Sequence, residues 1–294
     1  MEGDKMAIEF ICYNWMPTVA DHVLDLPEEF YIQAGTSRLH NAATLDPYSV
    51  KDGDLVFVKT DFIVDGTFET IFLDKIFNRF NLITGVSSFH LGRDGGDIYR
   101  KILDHPFLNK WICTNPPNIN SDKIIPIPIG FEEPDRPAGN QEFLQGIKDN
   151  RTPFTEKLEK VFLPYHNFST NGERKDLYDF LKSLPFVVAQ EEKQDLEEYF
   201  GTMDKYKFII GIEGSGPDIH RNYEAMLVGS IPIVIKNVIK GVFEFHNASA
   251  VFLDSWKELD DRKFLNILKR EFDIAANDKF LSLESHISII EDLT

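Results

Sequence analysis

Residues 205–235 read KYKFIIGIEGSGPDIHRNYEAMLVGSIPIVI, and this stretch decides the fold. It opens with an apolar run rich in β-branched residues, 208–212, which predicts a buried strand. Gly214-Ser215-Gly216 follows as a turn that lets the backbone bend sharply. Pro217 favours the first turn of a helix, and a second apolar strand is predicted over 231–235. Strand, glycine-bearing loop, helix and strand in this order are typical of α/β proteins with parallel sheets.

The loop and the helix that follows it carry groups suited to a diphosphate. A helix N-terminus, marked here by Asp218, offers free N–H groups and the positive end of a dipole. Arg221 can donate paired hydrogen bonds to phosphate oxygens, and Glu224, one turn further, can accept from ribose hydroxyls. A GxGxxG fingerprint is absent, because no third glycine follows Gly214 and Gly216 at that spacing. The alternative interpretation is an ordinary strand–helix–strand unit whose Arg221 and Glu224 are solvated or pair with each other.

The same block resembles the donor-binding motif of exostosin-type glycosyltransferases. The matching positions are Glu213, Gly214, Gly216, Arg221, Glu224, Ala225, Gly229, Pro232 and Val234. The chain is also similar to the small soluble exostosin-like proteins coded by large algal viruses. The resemblance implies a GT-B fold, an α/β architecture of two Rossmann-like domains with parallel sheets facing a central cleft.

The resemblance further implies an activity: inverting, metal-independent transfer of a sugar from a nucleotide-diphosphate donor to a glycan or glycoprotein acceptor, without a cofactor. It favours a UDP-sugar, with UDP-xylose among the candidates; a GDP-sugar, as in fucosyl-type transfer, stays open. The implied donor-binding residues of the second half are Asn167, Ser169, Arg174, Glu213, Gly214, Ser215, Gly216, Asp218, Arg221 and Glu224. Of these, Asn167, Ser169 and Arg174 match loosely, and a solvated Arg174 is the alternative.

Length and charge bound the remaining possibilities. The 294 residues suffice for two domains, and we expect an acceptor-binding domain over 1–145 and a nucleotide-sugar-binding domain over 146–294. A net charge of −17 argues against nucleic acid and anionic membranes as partners. The N-terminal residues lack the apolar core of a signal peptide, and no apolar run reaches membrane-spanning length. We therefore expect a soluble, cytoplasmic protein in which Cys12 and Cys113 are buried thiols.

The sequence of the first half also predicts a parallel sheet, and the ends of its strands offer candidates for the general base. Its strands are expected over 8–12, 30–33, 55–58, 81–84, 111–114 and 124–129, with a helix over 68–80. The carboxyl ends of parallel strands line the ligand crevice. Asp61 stands at such an end, and a polar loop after the next strand contains His90 and Asp94. An inverting transfer needs one base near the acceptor hydroxyl; Asp61 ranks first, then His90 and Asp94, and each is an ordinary surface residue on the alternative view.

Other chemistries find little support. Asp52-Gly53-Asp54 spells DxD, the metal–diphosphate motif of GT-A enzymes, but it precedes its strand, so we interpret it as a turn. The histidines show no HExxH or HxH spacing, and neither a P-loop nor a GxSxG elbow occurs. Two rival hypotheses remain. One is a non-catalytic module that binds a nucleotide-sugar or glycan; the other is a nucleotide-cofactor oxidoreductase, which the absent GxGxxG disfavours.

Overall fold

The structure is a computed structural model that describes residues 8–27, 30, 45–168 and 174–293. Within these residues the chain forms two units. The N-terminal unit contains 11–136 and 283–293, and the C-terminal unit contains 8–10 and 137–282. The chain thus passes from one unit to the other between 136 and 137, rather than between 145 and 146, and the first and last described segments each belong to the unit formed by the other half of the chain.

Contacts within each unit explain why these two segments belong to the unit formed by the other half of the chain. Gln141 Oε1 accepts hydrogen bonds from the main-chain N–H groups of Glu9 and Phe10, at 3.0 and 2.9 Å. At the other end, the Leu283–Glu291 helix buries one apolar face within the N-terminal unit. Neither interaction has a local signature, because each joins residues far apart in the chain.

The N-terminal unit is built on a parallel sheet of five strands in the sequential order β1-β2-β3-β4-β5. They are β1 His22–Leu24, β2 Leu55–Lys59, β3 Phe80–Gly85, β4 Leu108–Cys113 and β5 Ile124–Pro126. Every residue of β2 and β3 is buried, as expected for central strands covered on both faces. The α-helices of this unit are Thr60–Val64, Leu91–Asp94, Ile98–Leu103 and Leu283–Glu291.

Two of the elements predicted for this unit take another form, and strand β1, His22–Leu24, was not predicted. The strand expected over 8–12 is not part of the sheet: isolated bridges form at Phe10 and Cys12, and the main-chain N–H groups of Glu9 and Phe10 bond to the Gln141 side chain. The helix expected over 68–80 is a π-helical turn, Phe68–Phe72, followed by a 3₁₀ turn, Leu73–Lys75. The strand expected over 30–33 falls almost entirely outside the described residues.

The C-terminal unit also has a parallel five-stranded sheet, but its strand order is β10-β9-β8-β6-β7. The strands are β6 Leu158–Leu163, β7 Val187–Ala189, β8 Tyr206–Ile210, β9 Ile231–Ile235 and β10 Val251–Leu253. The α-helices are Gln141–Asn150, Arg174–Lys182, Leu196–Met203, His220–Leu227, Val238–Phe245, Asp261–Leu268 and Ile274–Leu281. Strand β9 falls on the residues predicted for it.

These two units confirm the expected α/β class, with two Rossmann-like parallel sheets. Each unit has its own apolar core of strand and helix side chains. Cys12 and Cys113 are buried free thiols, and burial raises the pKa of Cys12 to about 12. No helix in the described part of the chain combines the length and the apolar character needed to cross a membrane.

Candidate functional site

The strand order of the C-terminal unit creates a point where the chain reverses its direction of winding. After β6 the chain adds β7 on one side, then returns to place β8 on the other. Strands β6 and β8 are therefore neighbours whose connections leave in opposite directions, and open α/β sheets bind ligands beside the carboxyl ends of such strands. The N-terminal sheet shows no such reversal among its described strands. The candidate site is therefore the pair of loops, 164–168 and 211–219, that follow β6 and β8.

Arg174, at the start of its helix, ties these two loops together. Its guanidinium donates to the main-chain carbonyls of Asn167, Ile212 and Glu213, at 3.1, 3.0 and 2.8 Å. The residue is only 8% exposed, and burial together with the nearby Arg221 charge lowers its pKa. The resemblance implies that Arg174 binds the donor. These three hydrogen bonds fix the two loops in place.

Arg221, on the His220–Leu227 helix, reaches the same place from the other side. Its Nη1 donates to the Tyr165 carbonyl at 3.2 Å and to His166 Nε2 at 3.1 Å. Its guanidinium carbon lies 5.8 Å from the centre of the Tyr199 ring, within reach of a cation–π interaction. Nε is buried and makes no hydrogen bond in the described residues. No carboxylate of the described residues forms an ion pair with Arg221, so its charge remains available to an anion.

One interpretation of the sequence paired Glu224 with Arg221, but the two side chains do not form an ion pair in the structure. Its Oε2 accepts a 2.6 Å hydrogen bond from the Tyr199 hydroxyl, and the side chain is nearly buried, at 9% exposure. Burial raises the pKa of Tyr199 well above its usual value, and the Glu224 charge adds to that shift. Tyr199 was not singled out in the sequence, because its place beside Glu224 arises only when two helices pack together.

The glycine turn after β8 is held at both ends. The Glu213 carboxylate accepts from Asn237 Nδ2 at 2.5 Å, while Asn237 Oδ1 caps the next helix at Ile239 N. Gly214 lies against Arg174, where an added Cβ would stand 3.3 Å from Nη2. Ser215 is exposed and Gly216 is buried. Sequence analysis did not identify Asn237, whose amide closes this loop.

The helix that follows begins later than predicted. Ile219 has an extended backbone and serves as the N-cap, so the helix starts at His220 and not at Pro217. Asp218 is buried at 6% exposure. Its carboxylate accepts from Ile219 N at 2.9 Å and from the Tyr223 hydroxyl. Asp218 therefore contributes internal hydrogen bonds rather than an open helix end.

Two further residues predicted to bind the nucleotide-sugar donor, Asn167 and Ser169, precede Arg174 in the chain. Asn167 has an exposed side chain, and its main-chain carbonyl, rather than its amide, takes part by accepting from Arg174. Ser169 lies outside the described residues.

Gly211 makes the close approach of helix and sheet possible. An added Cβ would stand 2.4 Å from Asn222 Oδ1 and 3.2 Å from Val234 Cγ1, both in the core of the unit. We expect Gly211→Ala to lower the free energy of unfolding by about 1–3 kcal/mol, as overpacking does. Gly146→Ala is the matched control, because its Cβ meets nothing within 4 Å and glycine in a helix costs roughly 0.5–1 kcal/mol relative to alanine. Urea unfolding of both variants tests this; equal stabilities would contradict it.

In the N-terminal unit, Asp61 lies directly after β2, as predicted, in the first turn of Thr60–Val64. Its Oδ2 is 3.2 Å from Lys59 Nζ and makes no hydrogen bond in the described residues. Lys59 is itself buried, and its ammonium donates to the Val86 carbonyl. Asp61 is thus a carboxylate at the carboxyl edge of the sheet whose hydrogen-bonding capacity is largely unused.

His90 and Asp94 are engaged with their own helix. His90 Nδ1 accepts from Arg93 N at 2.8 Å, and burial lowers the pKa of the imidazole. Asp94 accepts from Arg93 Nε and Nη2 at 2.8 and 3.0 Å, and these bonds lower its pKa. It also accepts from His90 N. Both residues are suited to capping the Leu91–Asp94 helix, and a carboxylate with a lowered pKa is a weaker base.

Two neighbouring loops of this unit carry unusual backbone geometry. Val86, after β3, and Asn115, after β4, have φ values of 55° and 45°, a left-handed region that costs energy for residues with a Cβ. The Asn115 amide is buried, and neither its nitrogen nor its oxygen finds a hydrogen-bond partner in the described residues. Sequence analysis did not identify these residues, because no motif marks them.

The Asp52-Gly53-Asp54 motif is the turn that its position predicted. Asp52 Oδ1 accepts from Arg79 N at 3.1 Å, Gly53 has a φ of 91°, and Asp54 Oδ2 lies 2.7 Å from His22 Nε2. Within the described residues no group of three or more His, Cys, Asp or Glu side chains is placed to hold a metal ion.

Comparisons with known proteins give a remote structural likeness. No protein-family model matches the chain, and no curated protein matches its sequence. Among solved structures, it is similar to the catalytic domain of starch synthase IV from Arabidopsis thaliana bound to ADP and acarbose, with 13% identity and a TM-score of 0.33, over 90% of this chain and 74% of that one. These values do not assign the chain to a family.

Proposed function

We propose that this protein is a glycosyltransferase that moves a sugar from a nucleotide-diphosphate donor to a glycan acceptor. The observation that carries the proposal is Arg221, a guanidinium without a carboxylate partner in the described residues, at the reversal point of a parallel sheet. In a chain of 48 acidic and 31 basic residues, a cation whose partners among the described residues are carbonyl, imidazole and aromatic groups is suited to an anionic ligand. A diphosphate at this edge of the sheet fits its charge and its fork of donors.

The remaining groups of the site fit the other parts of such a donor. Glu224 holds Tyr199 with one carboxylate oxygen, and the other makes no hydrogen bond in the described residues, which leaves it free for a ribose hydroxyl. Arg174 keeps the two loops at a fixed separation. We favour a UDP-sugar, for which UDP-xylose is one candidate, and retain a GDP-sugar as the alternative.

The reaction needs one proton transfer and one bond exchange. A base takes the proton of the acceptor hydroxyl, the oxygen bonds to the anomeric carbon, and the bond from that carbon to the diphosphate breaks, with its electron pair leaving on the diphosphate. Arg221 stabilises the charge that develops on the leaving diphosphate, so the proposal includes no metal. Asp61 of the N-terminal unit is the proposed base.

The first experiment is a thermal-shift screen with UDP, GDP, CDP, ADP and NAD, each with and without EDTA. A ligand that binds only the folded state raises the melting temperature by mass action. We expect a shift with UDP that EDTA does not change. A shift with GDP alone keeps the transferase proposal and changes the donor. A shift with NAD alone favours the oxidoreductase, and no shift with any nucleotide contradicts the proposal.

The role of Arg221 is tested by Arg221→Ala. Loss of a charge-assisted hydrogen bond should weaken binding of UDP by about 1.5–3 kcal/mol, measured by calorimetry. Arg262→Ala, on an exposed face of the same unit, is the matched control and should leave the affinity unchanged. Equal affinities of the Arg221 variant and the native protein would remove Arg221 from the site. Binding without any transfer or donor hydrolysis would favour the non-catalytic module.

A further inference from the structure

His166, which was not singled out in the sequence, makes contacts that point to a role in the anion site. It follows β6 and is buried at 2% exposure. Its Nδ1 lies 2.6 Å from the Pro164 carbonyl oxygen, and its Nε2 lies 3.1 Å from Arg221 Nη1. A buried imidazole with both nitrogens engaged has a defined orientation.

These two contacts allow one protonation state. The Pro164 carbonyl only accepts, so Nδ1 carries the proton; the Arg221 guanidinium only donates, so Nε2 presents its lone pair. Burial and the positive charge of Arg221 lower the pKa of His166 to about 2. The imidazole therefore stays neutral throughout the pH range in which proteins are usually studied, and it never repels the guanidinium that it holds.

Tyr199 holds the same guanidinium from another direction. Its ring faces Arg221, and its hydroxyl is fixed by Glu224. A continuous set of contacts thus runs from the Pro164 carbonyl through His166, Arg221 and Tyr199 to Glu224. It connects the loop after β6 to two separate helices.

We propose that His166 and Tyr199 are positioning residues that aim Arg221 at the diphosphate of the donor. The inference rests on the proposed function and adds to it the means by which the Arg221 guanidinium is oriented. An arginine side chain in solution samples many rotamers. Fixing Nη1 on two acceptors, with the guanidinium carbon 5.8 Å from the centre of the Tyr199 ring, restricts the direction of Nη2 and lowers the entropic cost of binding an anion.

A double-mutant cycle tests this inference, with UDP and GDP as probes and calorimetry as the measurement. His166→Phe removes the acceptor for Arg221 Nη1 and should weaken binding by about tenfold, the scale of a hydrogen bond to a charged group. In the Arg221→Ala background the same change should have almost no effect, because the residue acts through Arg221. Tyr199→Leu should also weaken binding, although it removes the hydroxyl that holds Glu224 as well. Uridine and guanosine, which lack phosphate, should bind equally to the native protein and to the Arg221 and His166 variants.

His166→Gln keeps the measurement informative if His166→Phe fails to fold. The glutamine side chain offers both an acceptor and a donor, so this variant should retain most of the affinity. Loss of affinity for UDP in Arg221→Ala but none in His166→Phe, or equal losses from His166→Phe with and without Arg221, overturns the inference and leaves the proposed function intact. If neither probe binds the native protein, the proposed function fails, and this inference fails with it.

Discussion

Asp61→Asn should reduce the rate of sugar transfer by about 10²–10⁴-fold, the usual contribution of a general base. Asp61 is the candidate that the structure leaves most available. It stands in the first turn of the Thr60–Val64 helix, just after β2, and 38% of its side-chain surface is exposed. An asparagine has nearly the same shape but cannot take the proton of the acceptor hydroxyl. Transfer is measured from donor and acceptor turnover, and donor affinity should stay unchanged.

The control for this prediction is Asp94→Asn. Asp94 also follows a strand of the N-terminal unit, at the end of the Leu91–Asp94 helix, but its carboxylate accepts from Arg93 and His90. We expect it to change activity little. Asp61→Asn also removes the anion beside Lys59 Nζ, so thermal unfolding of both variants must accompany the rates. Full activity in a folded Asp61→Asn protein would remove Asp61 from the reaction.

Asp204→Ala should lower the free energy of unfolding by about 3–5 kcal/mol, because it leaves a buried ammonium without its anion. The Lys157 side chain has no exposed surface, and its Nζ lies 2.5 Å from Asp204 Oδ1. Burial lowers the pKa of Lys157, and Asp204 partly offsets this effect. Asp204 also accepts from Thr152 N and Oγ1, at 3.0 and 2.6 Å. Urea unfolding followed by circular dichroism measures the loss.

Two further variants separate the effect of burying the Lys157–Asp204 ion pair from the effect of the pairing itself. Asp179→Ala breaks an ion pair of 2.9 Å whose partners are 66% and 57% exposed, and it should cost less than about 1 kcal/mol. The double variant Lys157→Met/Asp204→Leu removes both charges and should be more stable than Asp204→Ala alone. If Asp204→Ala cost no more than Asp179→Ala, the account of this buried pair would be wrong.

Sequence analysis succeeded where the signal is local. Strand β9 was predicted to the residue because an apolar run follows a glycine, and Arg221 was recognised because it lies one turn after that loop. His166 and Tyr199 were missed because their partners, Arg221 and Glu224, are 55 and 25 positions away. Their alignment depends on strand order and helix packing, which no short pattern encodes.

Asn167 and Glu213 illustrate a contact that a sequence does not reveal. The resemblance implies that both bind the donor, and this stays a prediction. In the structure their main-chain carbonyls accept from Arg174, and any residue supplies a carbonyl. Residue type therefore carries little information about such a contact. The start of the His220–Leu227 helix was misplaced for a related reason. Aspartate often caps a helix, but here the buried Asp218 carboxylate accepts a hydrogen bond from the Tyr223 hydroxyl.

The placement of the Leu283–Glu291 helix has a consequence for folding during synthesis. The helix buries Leu283, His286 and Ile290, and its His286 ring lies 6.5 Å from that of Trp15, within the N-terminal unit. Ribosomes make this helix only after residues 137–282 of the C-terminal unit have been translated. The N-terminal unit thus remains incomplete until residues 283–291 have been added, with apolar surface uncovered during that interval, when nascent chains are prone to aggregate.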